Sequence, residues 1–299
     1  MLSTDYISNL LTHSNGLCYD PTHPKTKAWS EWIDIQYRSG AIPKPTSIIA
    51  RAFLRPLLYE PDQGWSYGYG VDWAGIAVSR VSGLSLEEFM QRNVWGPLGM
   101  NSTTFHPRVR PDLLRRTASL AIRDKSGKLQ ALHPNSPLAK LPESIYPEGG
   151  GGGCYGTAND YIKLLTSLLR NDGKVLKPET VDMMFSPQLK NPTHLRRVRA
   201  DPLSFALAAS VPPQTPVDYG FGGILNLDDI SSIGRSKGSM HWGGIPNLFW
   251  WINPRDGVCG CYWGQLLPRG DPQTFQLYTK FEKAVMDTLK ESKSGYGKL

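Results

Sequence analysis

The chain has 299 residues, 40% hydrophobic and 20% charged, with 33 Lys and Arg against 26 Asp and Glu and a formal net charge of +7. That composition can bury a sizeable core and excludes wholesale disorder, and no apolar run approaches the roughly 18 residues of a membrane span. Cys18, Cys154, Cys259 and Cys261 stand in dissimilar surroundings with no histidine at zinc spacing, and no basic stretch leads into an apolar one after Met1, so a reduced, cytoplasmic protein without a secretory leader, disulfide framework or metal site is expected.

In chain order, residues 4–12, 28–38 and 46–55 carry apolar side chains at mixed three- and four-residue spacing and read as helices. A clearer helix is expected over 71–82, with Val71, Ala74, Val78 and Val81 on one stripe and Gly83 ending it. Ser85 followed by Glu88 is a capping box for the next helix, which turns Leu86, Phe89 and Met90 inward and should stop at Gly96-Pro97. Arg108, Arg110, Arg115 and Arg116 form one basic cluster, and Arg196, Arg197 and Arg199 a second. Neither has interleaved aromatics or a known nucleic-acid module around it, so both read as solvated loops.

A short hairpin is expected from Ser119–Arg123 and Leu129–His133 around Asp124-Lys125-Ser126-Gly127. Thr157 and Asp160 cap a helix whose stripe is Ile162, Leu164, Leu165, Leu168 and Leu169, ended by Asn171-Asp172-Gly173, and Pro178 begins another. The C-terminal part changes character. Leu248–Ile252 and Val258–Leu266 are aromatic and β-branched runs joined by Asn253-Pro254-Arg255-Asp256-Gly257, a hairpin, with Ser239–Trp242 as a candidate third strand. Asp271-Pro272 opens a final helix expected to bury Tyr278, Phe281, Val285 and Leu289. The fold class is therefore α+β in a single domain over 1–299, mostly helical over 1–235, with antiparallel strands and a terminal helix over 236–299.

One segment has two incompatible readings. Gly64-Trp65-Ser66-Tyr67-Gly68 satisfies the G-x-S-x-G pattern of an α/β-hydrolase nucleophile elbow, with Ser66 as nucleophile. That elbow needs a buried strand just before the serine, whereas Glu60-Pro61-Asp62-Gln63 is a polar turn containing proline. The alternative gives the chemistry to Tyr67. A phenol, with an ordinary pKa of about 10, acts as a base only when its surroundings favour phenolate. Gly68 and Gly70 keep the adjacent backbone slim. The plain alternative is a buried tyrosine held by its hydroxyl.

Residues 65–75 (Trp-Ser-Tyr-Gly-Tyr-Gly-Val-Asp-Trp-Ala-Gly), 94–100 (Val-Trp-Gly-Pro-Leu-Gly-Met) and Thr103-Thr104-Phe105 resemble serine hydrolases of the class C β-lactamase type, and among them the fungal lovastatin-type esterases and acyltransferases. Residues 10–17 (Leu-Leu-Thr-His-Ser-Asn-Gly-Leu), the run Gly149–Gly153 leading to Thr157-Ala158-Asn159-Asp160, and His241-Trp242-Gly243-Gly244 continue the likeness in order over nearly the whole chain. The resemblance implies a β-lactamase/transpeptidase-like fold, Tyr67 as general base, and Trp242, Gly243 and Gly244 as the strand lining the acyl site, where a backbone N–H stabilises the oxyanion. It makes His13 structural and His241 a candidate substrate contact. The substrate would be a small-molecule acyl ester or a carrier-bound thioester in secondary metabolism, with no cofactor, no metal, no nucleic acid and no membrane partner.

The family's nucleophile sits in Ser-x-x-Lys, and no lysine here has a serine three residues before it. The resemblance therefore leads one to expect that the front of the domain, with that motif and the strands that pair with the C-terminal hairpin, is missing. The chain as written would then be inactive, and a non-catalytic ligand- or partner-binding protein is the alternative.

Overall fold

The computed structural model describes residues 4–19, 23–132, 148–200 and 210–295. Helices α1 (Thr4–Thr12), α2 (Pro24–Ser39) and α3 (Ile48–Phe53) form where the spacing predicts them. His23 caps α2 through its side chain and Ser47 caps α3. Next comes α4 (Gly70–Ser82), which packs on α1 and ends at Gly83 in the left-handed region. Its inward face differs from the expected stripe: Asp72, Gly75 and Ile76 are buried, and Val81 is 90% exposed. Hydrogen bonds inside the protein satisfy the Asp72 carboxylate, so a charged position turned inward and a valine turned out.

The capping box at Ser85 is present ahead of α5 (Leu86–Met90). The helical path does not stop at Gly96-Pro97. It widens through a π-helical turn, Gln91–Trp95, and runs on as α6 (Gly96–Leu98) before Gly99 ends it. The wider turn, in which Gly96 N–H bonds back to Gln91 O, admits Pro97 without the clash of a regular helix interior. After α7 (Pro111–Leu114), strands β1 (Ala121–Arg123) and β2 (Leu129–Ala131) make the short hairpin. His133 and the following residues to 147 lie outside the described residues.

Helix α8 (Ala158–Arg170) has its Thr157 cap and its Asn171 terminator in the left-handed region. It is followed by α9 (Pro178–Met184) and α10 (Thr193–Ala200). The second basic cluster therefore lies on a helix, and Arg199 is a correction to the solvated-loop reading. Its buried guanidinium donates to the carbonyls of Thr215, Val211 and Pro212 at 3.1–3.2 Å, closing the segment that leads into the sheet.

Five antiparallel strands build the main sheet in the order β3 (Val217–Tyr219), β4 (Ile224–Asn226), β5 (Met240–Gly244), β6 (Leu248–Asn253) and β7 (Val258–Trp263). The first two, three residues each, carry no periodicity and were not legible as strands. The β6–β7 hairpin matches its aromatic runs, but its second arm ends at Trp263. Leu266–Leu267 forms a separate strand, β8, parallel to β1. Helix α11 (Pro272–Gly295) covers one face of the sheet, packing Tyr278 and Met286 on Phe249 and Trp251. Phe281 is exposed, contrary to expectation, and Glu282 takes the inward position because Arg235 receives it there. A second buried cluster joins Trp65, Tyr219, Ile224 and Val217, with Tyr67 and Trp242 packed against it.

Candidate active site

Two segments far apart in sequence lie side by side to form the floor of the site. The chain leaves α1 through His13, whose φ of 58° turns it, and His13 O then accepts from Ser66 N at 3.1 Å. Tyr19 N donates to Tyr67 O at 3.4 Å. Gly68 is what permits this approach, since a Cβ there would stand 2.4 Å from the Leu17 carbonyl oxygen. The slim backbone around Tyr67 therefore serves packing.

Tyr67 sits inside a cage of rings. Its centroid lies 4.7 Å from that of His13, 5.2 Å from Tyr19 and 5.3 Å from Trp242, and Tyr219 closes the far side at 5.4 Å from Trp242. Burial pushes the Tyr67 pKa up. A hydrogen bond with the Trp242 side chain and the positive charge of Arg269 both pull it down, and the Asp72 carboxylate nudges it up again. Burial holds His13 at about 3, so it is a neutral, structural ring at ordinary pH.

The third wall is β5. Its residues Trp242, Gly243 and Gly244 pair with Trp250, Phe249 and Leu248 of β6. Strand β4 covers β5 only at Met240 and His241, so the other edge of 242–244 has no strand beside it among the described residues. An edge of that kind leaves backbone N–H groups free to receive a carbonyl oxygen. The structure thus brings Tyr67, Trp242, Gly243 and Gly244 together. It does not bring His241 to them. Alternation along the strand places His241 opposite Trp251, on the face that α11 covers, and the ring is 2% exposed. There burial and the charges of Arg235 and Arg199 press its pKa well below normal.

The glycine run supports the floor from behind. A Cβ at Gly150 would come within 2.2 Å of the Val71 carbonyl oxygen, so the loop packs directly on the first turn of α4. Beside it Asp72, 4% exposed, accepts from Gly151 N and from the Tyr19 hydroxyl, each at 3.0 Å. Burial raises the Asp72 pKa, and these two bonds oppose the rise. Glu148, just ahead of the run, bonds His106 at 2.6 Å and Glu87 N at 2.8 Å.

Several of these groups escaped the sequence reading. Tyr19, Asp72 and Tyr219 look like ordinary residues of their segments, although Tyr19 follows the Thr-His-Ser-Asn-Gly turn closely. Arg269 and Asn247 gave no signal. Asn247, with φ of 57°, donates through its side chain to Leu266 O at 2.8 Å and Pro268 O at 2.9 Å, and accepts from Gly270 N at 2.9 Å. It ties the loop carrying Arg269 to the turn that follows the Gly243-Gly244 edge. Ser66 stands in irregular chain with no strand before it, and α4 begins only at Gly70, so the strand–serine–helix geometry of a nucleophile elbow is not formed there. Among the described residues no group of three or more His, Cys, Asp or Glu converges as metal ligands, and no helix is long and apolar enough to cross a membrane.

A family model described as Beta-lactamase matches residues 7–280. The ML-236A carboxylate methylbutanoyltransferase of Penicillium citrinum is 33% identical over 295 residues, covering 95% of this chain and 66% of that protein. A lovastatin esterase of Penicillium rubens is 36% identical, covering 84% of this chain and 61% of its own length. Among solved structures, unliganded simvastatin synthase from Aspergillus terreus superposes with a TM-score of 0.80 at 32% identity, covering 94% of this chain and 67% of that one. The chain thus spans slightly less than two thirds of the first curated relatives' length.

Proposed function

The chain belongs to the Beta-lactamase family, and from that premise we propose that it forms the base-and-oxyanion part of a serine acyltransferase or esterase of secondary metabolism. The observation that carries the reading is Tyr67 caged against Trp242, beside the unpaired edge of Gly243 and Gly244. The reaction is acyl transfer from a small-molecule ester or a thioester to water or an alcohol.

In that scheme the acyl carbonyl oxygen seats on the open β5 edge, where each donor contributes roughly 3 kcal/mol to the transition state. Tyr67 takes the proton from the attacking serine hydroxyl as the serine–acyl bond forms and the donor's leaving group departs with a proton. In the second half-reaction Tyr67 takes the acceptor's proton, the acceptor oxygen bonds the acyl carbon, and the serine leaves as its hydroxyl. Burial, the largest influence, leaves the Tyr67 pKa raised, and the Trp242 hydrogen bond and the Arg269 charge offset part of that rise. The serine and its lysine are not among these 299 residues, because no Ser-x-x-Lys occurs in them. By itself the chain would bind an acyl ester and not turn it over, and that absence also favours the second reading, a ligand-binding protein using the same cleft.

A fluorophosphonate probe and a medium-chain acyl ester test this together. The 299-residue chain should take no label at Ser66 and should bind the ester saturably, with Trp242→Ala weakening binding at least tenfold. Labelling of Ser66 would overturn the assignment of Tyr67, and ester binding unchanged by Trp242→Ala would remove β5 from the site.

A further inference from the structure

Two helices near the start of the chain turn large apolar side chains to solvent. Neither α2 nor α3 packs broadly on another helix or strand among the described residues. On α2, Trp32 and Ile35 lie one turn apart and are 49% and 61% exposed. On α3 and just after it, Ile48, Leu54 and Leu57 are exposed as well. Of the fifteen large apolar side chains exposed among the described residues, five therefore fall within residues 32–57. Singly scattered surface residues are ordinary, and a concentration of this kind marks an interaction surface.

Positive charge gathers in the same segment. Residues 24–58 hold six Lys and Arg against two acids, a net +4 out of the chain's +7. Lys25, Lys27, Arg38, Lys44 and Arg51 are exposed. The sixth, Arg55, is half-buried and joins the two helices: its guanidinium stands 5.3 Å from the Trp29 ring of α2 and 5.5 Å from the Tyr69 ring. Tyr69 lies 4.5 Å from Tyr19, and Tyr19 lies 5.2 Å from Tyr67. A ladder of rings thus runs from the exposed helices to the phenol.

Charge selects the occupant. A second copy of the chain would set +4 against +4, which opposes self-association through this face. The partner must cover apolar side chains and supply negative charge. An anionic lipid surface does both. A tryptophan seats at headgroup depth, the aliphatic side chains enter the acyl boundary, and the long Lys and Arg stems lie along it with their charges at the phosphates. We propose that the α2–α3 face is a peripheral docking surface for an anionic lipid bilayer, with the ring ladder starting at the docked face. The family resemblance implies no membrane partner, and this face departs from that expectation. Its assignment does not depend on the acyl-transfer reading.

Co-sedimentation of the 299-residue chain with vesicles tests this. The vesicles are phosphatidylcholine alone and phosphatidylcholine with about one third phosphatidylserine, in about 0.1 M salt. The chain should bind the anionic vesicles at least tenfold more tightly, and about 0.5 M salt should remove most of the difference. Trp32→Ser combined with Ile35→Ser should weaken binding at least tenfold, and Lys44→Glu combined with Arg51→Glu should abolish the preference for phosphatidylserine. All four side chains are exposed, so the unfolding midpoint should stay near that of the parent. Charge reversal at Arg115 and Lys125, exposed but outside this face, should leave binding within twofold. Failure to bind either vesicle, binding untouched by the Trp32 and Ile35 changes, or an equal loss from the Arg115 and Lys125 reversal overturns the proposal. A chain that ignores vesicles but self-associates through Trp32 assigns the face to a second copy, and one that binds only soluble polyglutamate assigns it to an acidic protein; either result overturns the lipid assignment.

Discussion

Acid should dismantle this site through its two buried histidines. His13 lies in the ring cage of Tyr67 and His241 on the covered face of β5, and both are held neutral by burial. An unfolded histidine titrates near 6.5, whereas His13 in the folded protein does so at about 3. Because the folded values are depressed, the unfolded chain binds the extra protons, and stability falls as pH drops below about 6.5. His13 contributes a slope of about 1.4 kcal/mol per pH unit through that window, and His241 acts in the same direction. For His13 alone the loss at pH 4, two and a half units below 6.5, is about 3.4 kcal/mol, and His241 adds to it. A domain's whole stability is about 5–15 kcal/mol, so the pair is decisive. Urea unfolding at half-unit steps from pH 7 to 4 reads the slope directly. His13→Asn, chosen because asparagine tolerates the positive φ at that position, should remove about 1.4 kcal/mol per pH unit from it, and His241→Leu should also make it shallower, whatever they do to absolute stability. A slope unchanged in both variants would refute the claim that these rings are buried neutral.

Tyr67→Phe should lower the rate of an active form of the enzyme roughly 10²- to 10⁴-fold while ester binding to this chain changes little, measured by steady-state kinetics and fluorescence titration; activity within a few-fold of the parent would remove Tyr67 from proton transfer. Glu282→Ala leaves the Arg235 guanidinium buried, with its bonds at 2.6 and 2.7 Å lost, and should cost about 3–5 kcal/mol in chemical unfolding. Arg235→Met combined with Glu282→Leu should recover most of that loss, and a double variant as unstable as the single one would contradict the desolvation argument. Gly150→Ala forces a Cβ towards the Val71 carbonyl and should destabilise by about 1–3 kcal/mol in thermal unfolding, with a loss near zero showing that the loop is not packed on α4.

The helices and the β6–β7 hairpin were legible because each is coded within a few residues. Ser85 and Glu88 cap one another, Thr157 and Asn171 bracket α8, and aromatic runs flank the Asn253–Gly257 turn. Tyr67 and the Trp-Gly-Gly strand were legible for another reason, that ordered motifs along the chain match a family. Charged residues misled. Arg199, Asp72 and Glu282 occupy inward positions because each meets a partner from a distant segment, and neither periodicity nor composition carries that information.

By itself the sequence determined the α+β class, most helix boundaries, and which phenol and which glycine strand to look at, since short-range caps, turns and side-chain periods act within one or two turns of chain. Only the tertiary structure decided that β3 and β4 are strands, that His241 faces α11, and that Tyr67 packs against Trp242. Those outcomes depend on which surfaces of the folded chain come to face one another. A hydrogen-bond ladder or a ring contact exists only once that has happened.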